Sequence, residues 1–265
     1  MPELPEVEFA RRQAEKALLG RRIVRVAVDD DRIVFDGIPP ARFASALTDR
    51  TVLAIGRRGK HLWIELDRRP WPTFHFGMTG YFETYRDPAD RPRFWKAELL
   101  TDDGLFLTMV NKRRLGRIRL RHDPPAEPPI SRLGFDPLAD RLSPSRFAAM
   151  LTRRNATIKA VLLDQSFIAG VGNWIADEVL YQARIAPARI ASGLTPQEVS
   201  RIFSKLRSII RKAVELDADN ERFPRTWLFH HRWGKNAEAR THRGEKIIHQ
   251  TIGGRTTAWV PARQK

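Results

Sequence analysis

The sequence predicts an α+β protein of more than one domain: an N-terminal β-sandwich flanked by a helix, a separate helical domain and a small C-terminal appendix. Three observations carry this. Near the start, apolar residues fall at helical spacing over residues 5–19. Short strand-like runs then follow one another from Arg22 to Arg121. Beyond a proline-rich stretch, helix start signals and a long apolar stripe take over.

In the first helix Val7, Ala10, Ala14, Ala17 and Leu18 share a face, and Gly20 is a stop signal. Ile23, Val24, Val26 and Val28 open the strand region. Thr51–Ile55 and His61–Leu66 flank a Gly-Arg-Arg-Gly turn region, and Thr73–Phe76 and Tyr81–Tyr85 follow. Lys96–Thr101 and Leu105–Val110 make a hairpin around Asp102-Asp103-Gly104. Pro124, Pro125, Pro128 and Pro129, among charges and few apolar residues, mark residues 123–140 as a linker. Ser143-Pro144 starts a helix, and Thr195-Pro196-Gln197-Glu198 is a capping box with proline at the first helical position. The helix it opens carries Val199, Ile202, Phe203, Leu206, Ile209, Ile210 and Val214 as one stripe. From Phe223 onward helix signals stop in a basic, aromatic, glycine-containing tail. The expected divisions are residues 1–122, 123–140, 141–223 and 224–265.

Of the 265 residues, 47 are lysine or arginine against 31 acidic ones, a formal net charge of +16 and a pI near 11.0. Self-repulsion of like charge opposes compaction, and a polyanionic partner supplies a reason to carry it. A merely solvated basic surface is the alternative. An anionic membrane surface fits less well, because no long amphipathic basic helix stands out. Without cysteine there is neither a disulfide nor a thiolate metal ligand. No apolar run reaches the length of a membrane span, and Met1–Glu8 is acidic where a signal peptide is basic, so a cytoplasmic, nucleoid-associated protein is expected.

The N-terminus is the sharpest chemical feature. Initiator methionine is normally removed before a small residue, which leaves Pro2 with a free secondary amine. An α-amine has a pKa near ~8, so a sizeable fraction is neutral and can attack a sugar C1′. Glu3 and Glu6 are carboxylates placed for acid–base steps beside it. On spacing alone, a proline opening a helix with acids at its positive end accounts for these residues better.

Resemblance alters that balance. Met1–Glu8 is similar to the signature start of the formamidopyrimidine-DNA glycosylase/endonuclease VIII (Fpg/Nei) family. Arg57-Arg58-Gly59-Lys60, His75-Phe76-Gly77-Met78-Thr79-Gly80 and Arg113-Arg114-Leu115-Gly116 resemble further family motifs, in the family's order. Leu162–Pro187, reading LLDQSFIAGVGNWIADEVLYQARIAP, resembles its helix–two-turns–helix segment almost throughout. Together these pieces span nearly the whole chain. The resemblance implies a bifunctional glycosylase and abasic-site lyase of base excision repair, monomeric and without a cofactor, acting on double-stranded DNA that carries damaged bases or abasic sites. DNA would run through a basic cleft between the domains.

Residue by residue, the resemblance implies that Pro2 is the nucleophile, that Glu3 protonates the sugar ring oxygen and that Glu6 supports the site. Lys60 would hold a phosphate beside the lesion. Met78, Arg113 and Leu115 would fill the gap left by an extruded base. Gly172 and Asn173 would bind phosphate at a helix start, with Asn173 capping it. Lys159 would face DNA or brace Glu6, and Arg255 would grip phosphate from a terminal hairpin. Two departures stand out. Leu115 replaces the phenylalanine of typical Fpg enzymes and leaves the opposite-base preference open. Ala237, Arg240, Val260 and Arg263 stand where the family commonly has four zinc-binding cysteines, so the tail is expected to be a zincless finger, held by Ile247, Ile248 and Trp259 and binding no metal. Residues 217–233 differ from the usual 8-oxoguanine-sensing loop, which leaves the preferred lesion open, as is the choice between one elimination and two. A catalytically silent module recognising abasic or distorted DNA is the principal alternative. An RNA-binding structural protein is another, with no place for Pro2 or the wedge residues.

Overall fold

The structure, a computed structural model, describes residues 2–234 and 236–265. They form two compact units, residues 1–132 and 133–265.

The first unit opens with α1 (Leu4–Leu18). Glu3 and Glu6 close a capping box on its first turn, with Pro5 inside it, and Leu4, Val7, Ala10, Ala14, Ala17 and Leu18 are buried. The three alanines let the helix lie close to the strands beneath. The strands are β1 (Arg22–Val28), β2 (Arg50–Arg58), β3 (His61–Leu66), β4 (Trp71–His75), β5 (Tyr81–Tyr85), β6 (Trp95–Thr101), β7 (Phe106–Val110) and β8 (Arg117–Arg121). Their hydrogen-bonded order is β5-β7-β6-β1-β2-β3-β4-β8, antiparallel at each paired step. The two halves share only a short join, Arg22↔Thr51 and Ile23↔Arg50, where the sheet turns back on itself. Phe74 of β4 and Phe82 of β5, near opposite ends of that order, consequently meet with ring centroids 5.3 Å apart. The β-sandwich predicted from the strand pattern is this arrangement.

One helix interrupts the expected all-strand stretch: α2 (Pro40–Leu47). Prolines 39 and 40 fix its entry, and Phe43 and Leu47, one turn apart, are buried. Phe43 packs edge-on against Phe35 and Phe74. Eight residues with two buried side chains leave too little periodicity to stand out among strands.

The second unit holds α3 (Pro144–Leu151), α4 (Ile158–Leu163), α5 (Asn173–Ala183), α6 (Pro196–Glu215) and the hairpin of β9 (Ile248–Ile252) with β10 (Arg255–Trp259). The capping box opening α6 is formed as predicted, Thr195 accepting from the Glu198 N–H, and the whole predicted stripe is buried. Each such side chain taken from water stabilises by about 1.5–3 kcal/mol. In the stretch expected as a linker, Phe135 and Asp136 are buried. Asp136 accepts from the Leu138 and Ala139 N–H groups, and Gly134 donates to the Gln165 carbonyl. Among the described residues, no helix is long and apolar enough to cross a membrane.

Candidate functional site

In the first unit, the capping box fixes Glu3 and Glu6 in the turn that directly follows Pro2. Glu6 accepts from the Glu3 N–H at 2.9 Å, and Glu3 accepts in return from the helix backbone. Glu3 is buried, while Glu6 and Pro2 are half-buried. Burial, with the neighbouring Glu3 charge second, pushes the Glu6 carboxyl up to about 7. That carboxyl can therefore give or take a proton near neutrality.

Arg57 fixes the loop carrying Lys60. Its buried guanidinium donates to Glu8 of α1 at 2.8 Å and to the Gly59 carbonyl at 3.0 Å. The β2–β3 turn is thereby tied to α1, with Gly59 at φ +57° making it tight. Next to Lys60, the His61 and His75 rings meet at 4.8 Å between centroids, tilted by 39°. Burial comes first in lowering both, to about 3 and about 4, with the facing histidine next for His61 and the Lys60 charge next for His75. His75 Nδ1 accepts from the Gly77 N–H at 3.2 Å, so the neutral ring presents Nε2–H as a donor.

Two turns bearing the predicted wedge residues are clamped together. Asn111 donates to the Phe76 carbonyl at 2.9 Å and accepts from the Gly116 N–H at 3.1 Å. Gly77 sits at φ +63°, where a Cβ would overlap the Leu115 backbone carbonyl. The fold thus brings Met78 beside the turn of Arg113 and Leu115. Met78 is half-exposed, and both others are exposed, as suits side chains that leave the protein surface. Arg114 at φ +55° anchors this turn. Its Nε and Nη2 donate to Asp31 at 2.8 and 3.0 Å, and Lys96 lies 2.9 Å from the same carboxylate. Burial alone would raise the Asp31 carboxyl, but those hydrogen bonds hold it well below the usual carboxylate range. Arg57, Asn111 and Asp31 are positioning residues that sequence reasoning missed. Arg57 lies within a motif quoted above and Asn111 next to one, and that was their only signal.

In the second unit, the segment between α4 and α5 makes two turns. Gly172 is the N-cap of α5, without a side-chain cap. Asn173 does not cap the helix as expected. It lies at the first helical position and donates to the Thr256 carbonyl of β10 at 2.8 Å. Lys159 also departs from its predicted DNA-facing role. It is fully buried, ion-paired with Asp177 and donating to the Asn173 carbonyl at 3.0 Å. A buried ammonium needs a carboxylate, and Asp177 offers one inside the unit.

Asp177 also accepts from Arg232 at 2.7 and 3.1 Å and from the Ala258 N–H at 3.1 Å. One carboxylate therefore joins α4, α5, the 232 segment and the terminal hairpin. In the hairpin turn Gly253 lies close against Ala160 of α4, and Arg255 follows the turn exposed. Where the family's cysteines would stand, Val260 is buried with Tyr181, Leu228, Ile247 and Ala258 in an apolar cluster, Arg240 donates to the Gly244 carbonyl, and Arg263 covers the Tyr181 ring. No thiolate is present, and no group of three or more histidines, aspartates or glutamates is placed to hold a metal among the described residues. These residues do not fit a zinc ion; packing and the Asp177 network take its place. Ile247 belongs to that packing, while Ile248 and Trp259 are half-buried.

Comparison with known proteins agrees along both units. Residues 1–118 match the formamidopyrimidine-DNA glycosylase N-terminal domain, and residues 133–224 match the formamidopyrimidine-DNA glycosylase H2TH domain. A formamidopyrimidine-DNA glycosylase of Arabidopsis thaliana is 44% identical over 278 residues, covering 100% of this chain and 71% of that protein. One from Pelotomaculum thermopropionicum is 33% identical, covering 100% and 99%. Among solved structures, Lactococcus lactis Fpg bound to DNA containing an abasic site superposes with TM-score 0.85 at 27% identity, over 99% of both chains. MutM in complex with DNA containing carbocyclic 8-oxo-G gives 0.86 at 26%, over 100% of both. With family sequence running through both units and the helix–two-turns–helix segment formed, the chain belongs to the formamidopyrimidine-DNA glycosylase family.

Proposed function

We propose that this protein is a bifunctional DNA glycosylase and abasic-site lyase of base excision repair, with the amine of Pro2 as its nucleophile. The observation that carries this reading is the capping box at α1, which fixes Glu3 and Glu6 in the turn that directly follows Pro2, with the Glu6 carboxyl raised to about 7. The neutral Pro2 nitrogen attacks C1′ of the damaged nucleotide as the C1′–base bond breaks. Glu3 protonates the ring oxygen, the sugar opens, and an iminium joins C1′ to Pro2. Loss of a C2′ proton then expels the 3′ phosphate. Glu6, with its proton shared near neutrality, relays protons to and from Glu3. Lys60 and His75 present donors suited to phosphate oxygens. Met78, Arg113 and Leu115 occupy the gap left by the extruded base, and Arg255 and the α5 start at Gly172 and Asn173 hold the backbone.

The substrate class follows the relatives, whose solved complexes contain abasic-site DNA and 8-oxo-G-containing DNA. A nucleoid location follows from that substrate. Borohydride trapping on a duplex with one abasic site tests the reading. Wild type should give a covalent protein–DNA band that Pro2→Gly loses. A band of equal strength in Pro2→Gly rejects the nucleophile assignment. No band from wild type with its methionine removed and its DNA binding intact leaves a silent binding module.

A further inference from the structure

We propose that the second unit carries a phosphate-binding pocket at the C-terminal end of α5, apart from the helix start at Asn173. Eight residues of helix separate Asn173 from Tyr181, about 12 Å along the axis. The pocket is open, with a volume of about 340 Å³, and Tyr181, Arg184, Lys205, Arg243 and Arg263 line it. These cations come from the end of α5, from α6, from the turn before β9 and from the C-terminal turn. Among the described residues, Arg184, Lys205 and Arg243 face no carboxylate within ion-pair distance, and Arg263 has one, Glu245, at 3.7 Å.

Such a cluster repels itself and costs stability unless an anion joins it. Two donors on residues of the pocket wall are left unmatched. The Tyr181 hydroxyl and the Arg263 Nε are both buried and have no acceptor in the protein, although Tyr181 itself is 2% exposed. An unmatched buried donor costs about 1–3 kcal/mol, which an oxyanion drawn into hydrogen-bond reach of either would recover. The helix dipole at this end disfavours anions. Here Arg201 caps the Ala183 carbonyl at 3.1 Å, and the Lys265 N–H caps that of Arg184 at 3.3 Å.

The aromatic faces narrow the ligand class. Arg263 lies over the Tyr181 ring at 5.0 Å, and Trp227 is buried, so neither offers a free face to a base. A phosphate or pyrophosphate group fits, whereas a ligand relying on stacking does not. Its source is either a free phosphate compound or a backbone phosphate of nucleic acid reaching this face.

Calorimetric titration of the full chain with inorganic pyrophosphate, and with undamaged duplex at several salt concentrations, tests the pocket. Wild type should bind pyrophosphate, Arg243→Glu should lose at least tenfold, and the charge-neutral Tyr181→Phe several-fold. If duplex affinity is unchanged in Arg243→Glu, the ligand is a free phosphate compound. If duplex displaces pyrophosphate and the salt slope falls by about one in Arg243→Glu, it is a nucleic-acid phosphate. Tyr181→Phe binding as wild type does, or neither pyrophosphate nor duplex affinity responding to the variants, overturns the proposal. Lyase trapping by the same variants at saturating duplex stays at the wild-type level, which separates this site from the Pro2 reading.

Discussion

Glu6 illustrates how much a single residue's setting decides. In water a glutamate is ionised at neutral pH, but burial and the nearby Glu3 bring it to about 7. Because the folded value is raised, its contribution to stability is fully present below the ordinary 4.5 and is lost as pH rises through about 7. Glu6→Gln should therefore remove an inflection near pH 7 from the pH profile of base excision, and an unaltered profile would rule out the relay. Glu3→Gln should abolish base excision while binding of abasic DNA persists, measured on the same oligonucleotide. Lys159 belongs to a different class. With its ammonium buried against Asp177, Lys159→Ala should destabilise the protein by about 3–5 kcal/mol, read as a lowered denaturation midpoint. A loss of DNA affinity with stability intact would restore the DNA-facing role.

At the scale of elements, each unit contains one clamp that holds predicted site residues in place. The first holds the turn around Met78 against the turn of Arg113 and Leu115 through Asn111 and Gly77. Gly77→Ala adds a Cβ where the Leu115 carbonyl already sits and forces the turns apart. A shift near 1 Å can cost about 100-fold in rate, so excision should fall steeply while single-turnover trapping on a preformed abasic site suffers less. Equal rates for wild type and variant would mean the wedge needs no such alignment. The second clamp is Asp177, which joins α4, α5 and the hairpin β9–β10. Its partners lie up to 81 residues away in sequence. Asp177→Asn leaves the Lys159 ammonium without its charge partner, and amide exchange in residues 248–259 should accelerate markedly. Unchanged protection there would assign the hairpin's hold to the apolar cluster of Tyr181, Leu228, Ile247, Ala258 and Val260 alone.

Over the whole molecule the net charge of +16 dominates. Each phosphate contact releases condensed counterions, so the logarithm of affinity for duplex DNA should fall linearly with the logarithm of salt, at about −0.9 per contact. A flat profile between about 50 and 200 mM salt would count against backbone binding. Charge of this kind sets association and says nothing about fold. The fold rests instead on apolar burial within each unit, and in the second unit on the paired charges around Asp177 as well.

The sequence by itself determined the β-sandwich, α1, the capping box of α6 and the turn between α4 and α5, because each is written in local periodicity and in cap or turn residues. It also carried the family motifs and, through them, Pro2, Glu3 and Glu6. The tertiary structure decided what depends on partners distant along the chain. Arg57 meets Glu8 across 49 residues, Asn111 meets Phe76 across 35, and Arg232 meets Asp177 across 55. A side chain's spacing reveals which face it occupies, whereas its protonation and its grip on a loop depend on what the fold buries beside it. That is why the same kind of residue, a lysine in or near a family motif, is a half-exposed candidate phosphate contact at position 60 and an interior brace at 159.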